Sequence, residues 1–313
     1  MAVVVLAGFG LLLNAACAGL QSSPATGVRP RQAALQVTRL NHLIDQIERG
    51  RAAMGTVNRQ APRSADAARA LAARDLDFAV FDVESGTTSV EQVKASLLAL
   101  REGANAAPGR RMISPLVRIP LKENDAPDAV VKSFVDIGAF GIMFGHIDTR
   151  ARAERAVAAM RYHHAGTVAG PAPGPAQTEG AAAAAALWGL SIPDYLRRAD
   201  VWPINPQGEL IAIMMIESLD AIRNVNEIAQ VPGVGALFFG PGDYGRSIGK
   251  PSRLPNVAPE TEAAIQTMLQ ACRAHHVFCG YPVAGTPEAL QPEADRRLSQ
   301  GFKIVTMVNL ANF

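Results

Sequence analysis

The sequence predicts an α/β protein folded as a single (β/α)8 TIM barrel, on three observations. Eight short runs are apolar throughout rather than alternating, which marks strands covered on both faces and hence a parallel sheet. Amphipathic stretches with helical spacing lie between them. The first and last runs are about 260 residues apart, the length one such barrel occupies. A doubly wound open sheet is the alternative. It normally carries a Gly-rich phosphate-binding turn after its first strand, and "GTVNRQAPRSA" is not one.

The elements follow in order. "RLNHLIDQIERG" (39–50) places Leu40, Leu43, Ile44 and Ile47 on one helical face. "AAMGTV" (52–57) is the first strand, followed by the helical pattern "SADAARALAARDL". "FAVFDVE" (78–84) precedes "SVEQVKASLLALREG", "ISPLVRIP" (113–120) precedes "DAVVKSFVDIG", and "GIMFGHID" (141–148) precedes "RAERAVAAMRY". Several of these helical patterns start on a Ser, Thr or Asp able to cap a helix. Residues 163–186, "HHAGTVAGPAPGPAQTEGAAAAAA", then interrupt the alternation as a low-complexity Gly/Pro/Ala insert whose alanine run is helix-prone. "LIAIMMIE" (210–217), "ALFFGP" (236–241), the helical "ETEAAIQTMLQACRAHH", "VFCGYPV" (277–283) and "KIVTMV" (303–308) complete the set. The eighth covering helix is expected to be absent from the chain, its place taken by the 39–50 helix or by a neighbouring subunit.

The chain has 313 residues, 49% of them hydrophobic and 19% charged, with a formal net charge of +2. That supports a large core, and the absence of any Lys/Arg run gives no footing for nucleic acid or an anionic membrane surface. Residues 1–30 are read as a signal-peptide-like leader and linker, and residues 31–313 as the barrel domain. The leader's apolar stretch, about fifteen residues, is short for a membrane span and suits the core of a secretory signal. Ala16–Cys17–Ala18 supplies small residues for cleavage, or Cys17 a site for lipidation. A basic leading segment is missing, the first basic residue being Arg29. Export to the periplasm, or lipid anchoring through Cys17, is expected, with no transmembrane span in the mature domain. If the leader is not a signal, the protein is cytoplasmic. Cys272 and Cys279 are expected to be separate buried thiols rather than a disulfide, and no Cys/His metal spacing is present.

Two strands each deliver one acid at the same end. Glu217 is the last residue of the fifth run, and Asp243 follows the sixth by two residues. Adjacent strands lie about 4.8 Å apart, so the two carboxylates can share one ion. Two carboxylates with room for water and substrate oxygens suit Mg2+ or Mn2+ rather than structural zinc. In "GPGDYG" the backbone amides of Gly242 and Asp243 are candidates to receive a substrate carboxylate. Arg118, inside the third apolar run, needs an anionic partner, either a substrate oxygen or a structural acid of the barrel.

These residues carry a resemblance. "MMIESLDAIRNVNEIAQVPGVGALFFGPGDYGRSIG" resembles the signature region of the HpcH/HpaI aldolases, the metal-dependent class II pyruvate aldolases. "SPLVRIP", "VVKSFVDIGAFGIMF" and "AERAVAAMRY" are similar to other segments of that family in the same order. The resemblance implies a carbon–carbon lyase that reversibly cleaves a 4-hydroxy-2-oxo acid to pyruvate, or a related 2-oxo acid, and an aldehyde. It implies Mg2+ or Mn2+ on Glu217 and Asp243, Arg118 on the keto or enolate oxygen, the amides of Gly242 and Asp243 on the carboxylate, and a homo-oligomer. Asp136 in "FVDIG" matches a family acid that positions a catalytic histidine. That histidine is missing: Ser85 stands in its place, and serine is not a base near neutral pH. Gly145 replaces the family's usual proline, and His146 after it is the candidate to take over acid/base work. An acyl-CoA lyase of the same superfamily is a rival reading, as is a secreted metal/keto-acid binding protein with little turnover.

Overall fold

The computed structural model describes residues 38–58, 65–85, 88–106, 109–121, 127–162, 171, 180–253 and 256–309. The leader and most of the Gly/Pro/Ala insert lie outside them. Eight parallel strands form the barrel: β1 (Ala53–Asn58), β2 (Phe78–Asp82), β3 (Ser114–Pro120), β4 (Gly141–Gly145), β5 (Leu210–Ile216), β6 (Val234–Phe239), β7 (Phe278–Gly285) and β8 (Ile304–Asn309). Each pairs with the next, β4 joins β5, and β8 returns to β1, so the ring is closed. A short strand, Val201–Trp202, adds to the start of β5, and Ser252–Arg253 pairs antiparallel with Asn256–Val257.

Among the described residues twelve helices accompany these strands: α1 (His42–Glu48), α2 (Ala65–Ala72), α3 (Val90–Asn105), α4 (Asp128–Val135), α5 (Arg150–Ala159), α6 (Ala181–Trp188), α7 (Ile192–Arg198), α8 (Leu219–Arg223), α9 (Val225–Ala229), α10 (Pro241–Ile248), α11 (Pro259–His275) and α12 (Pro287–Gln300). Local chemistry sets several starts. Ser89 and Gln92 form a capping box on α3, and Thr149 and Ser218 accept amide bonds at the heads of α5 and α8. The alanine run becomes α6, which buries Trp188 against Phe140 with ring centroids 4.4 Å apart. Every residue of β5 and β6 is buried, as unbroken apolar runs covered on both faces require. Each large side chain withdrawn from water there contributes about 1.5–3 kcal/mol.

Among the described residues no helix follows β8, and α1 does not take its place on the barrel wall. It plugs the floor, packing Leu43, Ile44 and Ile47 inward. Asn41, fully buried, caps α1 with its side-chain oxygen and donates through Nδ2 to the carbonyls of Phe140 and Glu209, at 3.1 and 3.0 Å. Its own amide donates to Glu209 Oε2 at 2.9 Å. Arg39 adds two bonds to Glu48 and one each to the carbonyls of Pro206 and Gly208.

The expectation of two separate thiols is corrected: Cys272 and Cys279 form a disulfide. His276 ends α11 in the left-handed region and turns the chain straight into β7. The two Cα atoms are thereby 5.9 Å apart, within bridging range. Replacing Asn41 with Ala removes the α1 cap and strands two buried carbonyls. A loss of about 2–3 kcal/mol is expected, measured as a lower urea midpoint at unchanged slope.

Candidate active site

The strand ends meet at the C-terminal mouth of the barrel, where such folds hold their chemistry. β2 stops at Asp82 because that side chain takes the amides of the next turn: Oδ1 accepts from Glu84 and Ser85, at 3.1 and 3.2 Å. Asp82 and Arg118 are register partners across β2 and β3. Arg118 Nε donates to Asp82 Oδ1 at 2.9 Å, Nη2 donates to Oδ2, and Nη1 lies 3.2 Å from Glu84 Oε2. Burial works against both charges, but the pairing wins. The Asp82 carboxyl is held below its ordinary range and the Arg118 guanidinium above its own. Arg118 is therefore a fixed cation, with Nη2 also donating to Ser85 Oγ at 2.6 Å.

β4 ends at Gly145, and His146 follows with φ 57°, a left-handed conformation that costs a non-glycine residue about 1–2 kcal/mol. The amide of His146 donates to Glu217 Oε1 at 2.7 Å, and its carbonyl accepts from Arg152 Nη1 at 2.7 Å. Its ring lies between two acids, Nε2 3.4 Å from Glu84 Oε1 and Nδ1 3.6 Å from Glu217 Oε1. One potential ligand atom from each of Glu84, His146 and Glu217 falls within 4.8 Å of the others.

Glycines make this crowding possible. A Cβ at Gly145 would run into Glu84 Oε1, and one at Gly240 into Glu217 Oε2. Both of those oxygens are buried without a hydrogen-bond partner. Glu217 is only 2% exposed. Burial, with the charges of Glu84 and Asp243 beside it, pushes its pKa up to about 8 against the pull of the His146 amide and Arg118. Burial likewise raises Glu84. Orphaned carboxylate oxygens beside an imidazole fit a divalent cation, which would supply the missing partners.

Of the residues expected from the sequence, Glu217, Arg118 and His146 are brought together. Asp243 stands beside them: its charge acts on Glu84 and Glu217, but its carboxylate pairs with Arg246, one turn along α10. The Gly-Pro-Gly-Asp "turn" is the first turn of α10, with Gly242 and Asp243 at its amino end and no side-chain cap over their amides. Asp136 is elsewhere. It ends α4, at the rim where β4 begins, pairs with Lys132, and accepts from Tyr162 Oη at 2.8 Å. Within one chain it does not reach the strand-end cluster. Asp82 and Glu84 were missed. An acid in register with an arginine on the neighbouring apolar run was the available signal for Asp82.

In metal-free protein, folding raises the Glu217 pKa from 4.5 to about 8. The folded state then binds the extra proton between those values, so this group's stabilisation is full below the lower one and is lost as pH rises through the window. Urea midpoints taken in EDTA are expected to fall across it more steeply for wild type than for Glu217→Gln.

The family model for HpcH/HpaI aldolase/citrate lyase matches residues 61–305. A 5-keto-4-deoxy-D-glucarate aldolase from Salmonella paratyphi C is 28% identical over 205 residues, 65% of this chain and 68% of its own. Among solved structures, a HpcH/HpaI aldolase/citrate lyase family protein from Burkholderia cenocepacia superposes with a TM-score of 0.65 at 26% identity, covering 86% of this chain and 93% of that one. CitE from Mycobacterium tuberculosis, solved with magnesium, acetoacetate and coenzyme A, has a TM-score of 0.50 at 16% identity over 83% and 78% of the two chains, and shares the fold. With that model spanning most of the barrel, the chain belongs to the HpcH/HpaI aldolase/citrate lyase family of carbon–carbon lyases.

Proposed function

We propose that the protein reversibly cleaves a 4-hydroxy-2-oxo acid to pyruvate, or a close 2-oxo relative, and an aldehyde, with Mg2+ or Mn2+ as cofactor. The observation that carries this reading is a buried Glu217 with an unpartnered oxygen beside a fixed Arg118 at the barrel mouth. Glu217 would hold the ion, with Asp243, whose charge acts on it, as second carboxylate. The ion's contribution, when bound, is Lewis acidity toward the oxygens of the 2-oxo acid. Arg118, locked by Asp82, meets the oxygen on which negative charge grows as the C3–C4 bond breaks and its electron pair moves into the C2–C3 enolate. The uncapped amides of Gly242 and Asp243 receive the substrate carboxylate. The C4 hydroxyl becomes the aldehyde carbonyl and must give up its proton; Ser85 supplies no base for this, so a water at the barrel mouth would accept it.

The reading is tested by following exchange of pyruvate methyl protons into D2O. Exchange is expected with Mn2+ or Mg2+, and is expected to drop by about 10²–10³-fold in EDTA, in Glu217→Gln and in Arg118→Met. Exchange that survives chelation and Glu217→Gln would sink the metal mechanism. Pyruvate binding without exchange would favour a binding protein instead.

We also propose that the chain matures in an oxidising compartment, as its leader-like start and the Cys272–Cys279 bridge both suggest. The full chain expressed with its leader should then appear in the periplasmic fraction with neither of these cysteines alkylatable. Recovery from the cytoplasm with both thiols free would contradict this.

A further inference from the structure

We infer that Glu84 and His146 join Glu217 as ligands, and that the imidazole makes this site prefer a transition-metal dication of the Mn2+, Fe2+ or Co2+ class over Mg2+. The inference rests on the reading of the strand-end cluster as a metal site, and adds which residues complete it and what they select. Three features point the same way. The ring of His146 is 44% exposed, so its placement owes little to apolar packing. Its backbone is nevertheless held in a left-handed conformation from both sides, by Glu217 Oε1 on its amide and Arg152 on its carbonyl. Backbone strain maintained in this way accompanies sites where the aim of a side chain matters. What it aims at is a gap bordered by Glu84 Oε1 and Glu217, the latter almost wholly buried and carrying an oxygen with no partner. Gly145 belongs to the same device, since any side chain there would displace Glu84.

The donor set decides the ion. Mg2+ takes oxygen ligands in near-ideal octahedral geometry and gains little from a nitrogen. Imidazole favours later first-row metals, while carboxylates keep Mn2+ competitive, so one imidazole added to the carboxylates of Glu84, Glu217 and Asp243 disfavours Mg2+. An imidazole bound to the ion is also not a free base. The acid/base role expected for His146 therefore gives way to ligation.

The test loads the full chain with Mn2+, Co2+ or Mg2+ separately. Affinity is measured by calorimetry, and ligation by nitrogen hyperfine coupling in pulsed EPR of the Mn2+ form. His146→Gly is the principal variant, because glycine adopts the left-handed backbone without strain and keeps the amide to Glu217. Glu84→Gln is the second. Wild type should prefer Mn2+ and Co2+ to Mg2+ by roughly tenfold or more, and His146→Gly should lose both that preference and the nitrogen coupling. Glu84→Gln should bind all three ions more weakly while keeping the coupling. If wild type binds Mg2+ as well as Mn2+ and shows no nitrogen coupling, while Glu217→Gln abolishes binding, the inference fails and the metal site stands. That result would make His146 an ordinary ion-pair partner of the two acids. If Glu217→Gln binds metal as wild type does, the metal reading fails and takes the inference with it.

Discussion

A carboxylate withdrawn from water must find a proton, a cation or a set of donors, and the mouth of this barrel is arranged around one that has found too few. Glu217 sits at the end of a strand buried on both faces, so water cannot serve it. One of its oxygens takes the His146 amide and the other has nothing. The surroundings follow from that deficit. Gly240 stays bare because a methyl group would strike the carboxylate, and the chain after β4 bends the wrong way to bring an amide to it. Arg118 offers little relief because Asp82, Ser85 and Glu84 have already claimed most of its donors. A cation seated there would supply the partner that the second oxygen lacks.

Much of the fold was legible because it depends on patterns a linear text preserves. All eight barrel strands fall on the apolar runs, and the helices at 90–105, 150–159 and 259–275 fall on the amphipathic stretches. The errors at strand ends are local and physical. The run at 78–84 stops at Asp82 because a side chain there captures the following amides, and the run at 141–148 stops at Gly145 because His146 leaves extended geometry. Neither event shows in hydrophobicity. The Cys272–Cys279 bridge was hidden for a related reason: it depends on an abrupt helix-to-strand reversal at His276, which no propensity of histidine announces.

The site was half legible. Glu217 and Arg118 stand out because a charge at the end of an apolar run is conspicuous. Glu84 is not conspicuous, since it lies in a polar turn where an acid is unremarkable, and only the approach of β4 through Gly145 gives it a role. Asp136 shows the opposite failure. Its segment matches the family pattern, yet helix direction carries it to the rim where strands begin, far along the barrel from the cluster. Sequence similarity preserves which element a residue belongs to, and the sense of that element then decides which end of the molecule it can serve.

The floor of the barrel has a consequence for how the molecule assembles. Asn41 is tied to Glu209 and Phe140, and β1 closes on β8, so residues near the start of the domain are secured by partners some hundred to two hundred and fifty positions away. Connections of that reach make chain search slow, since closure entropy is spent before the contacts are made. The opening residues must wait as a loose end until synthesis is nearly done. Closing the floor is therefore a late step, completed only once residues 209 and 304 have been made.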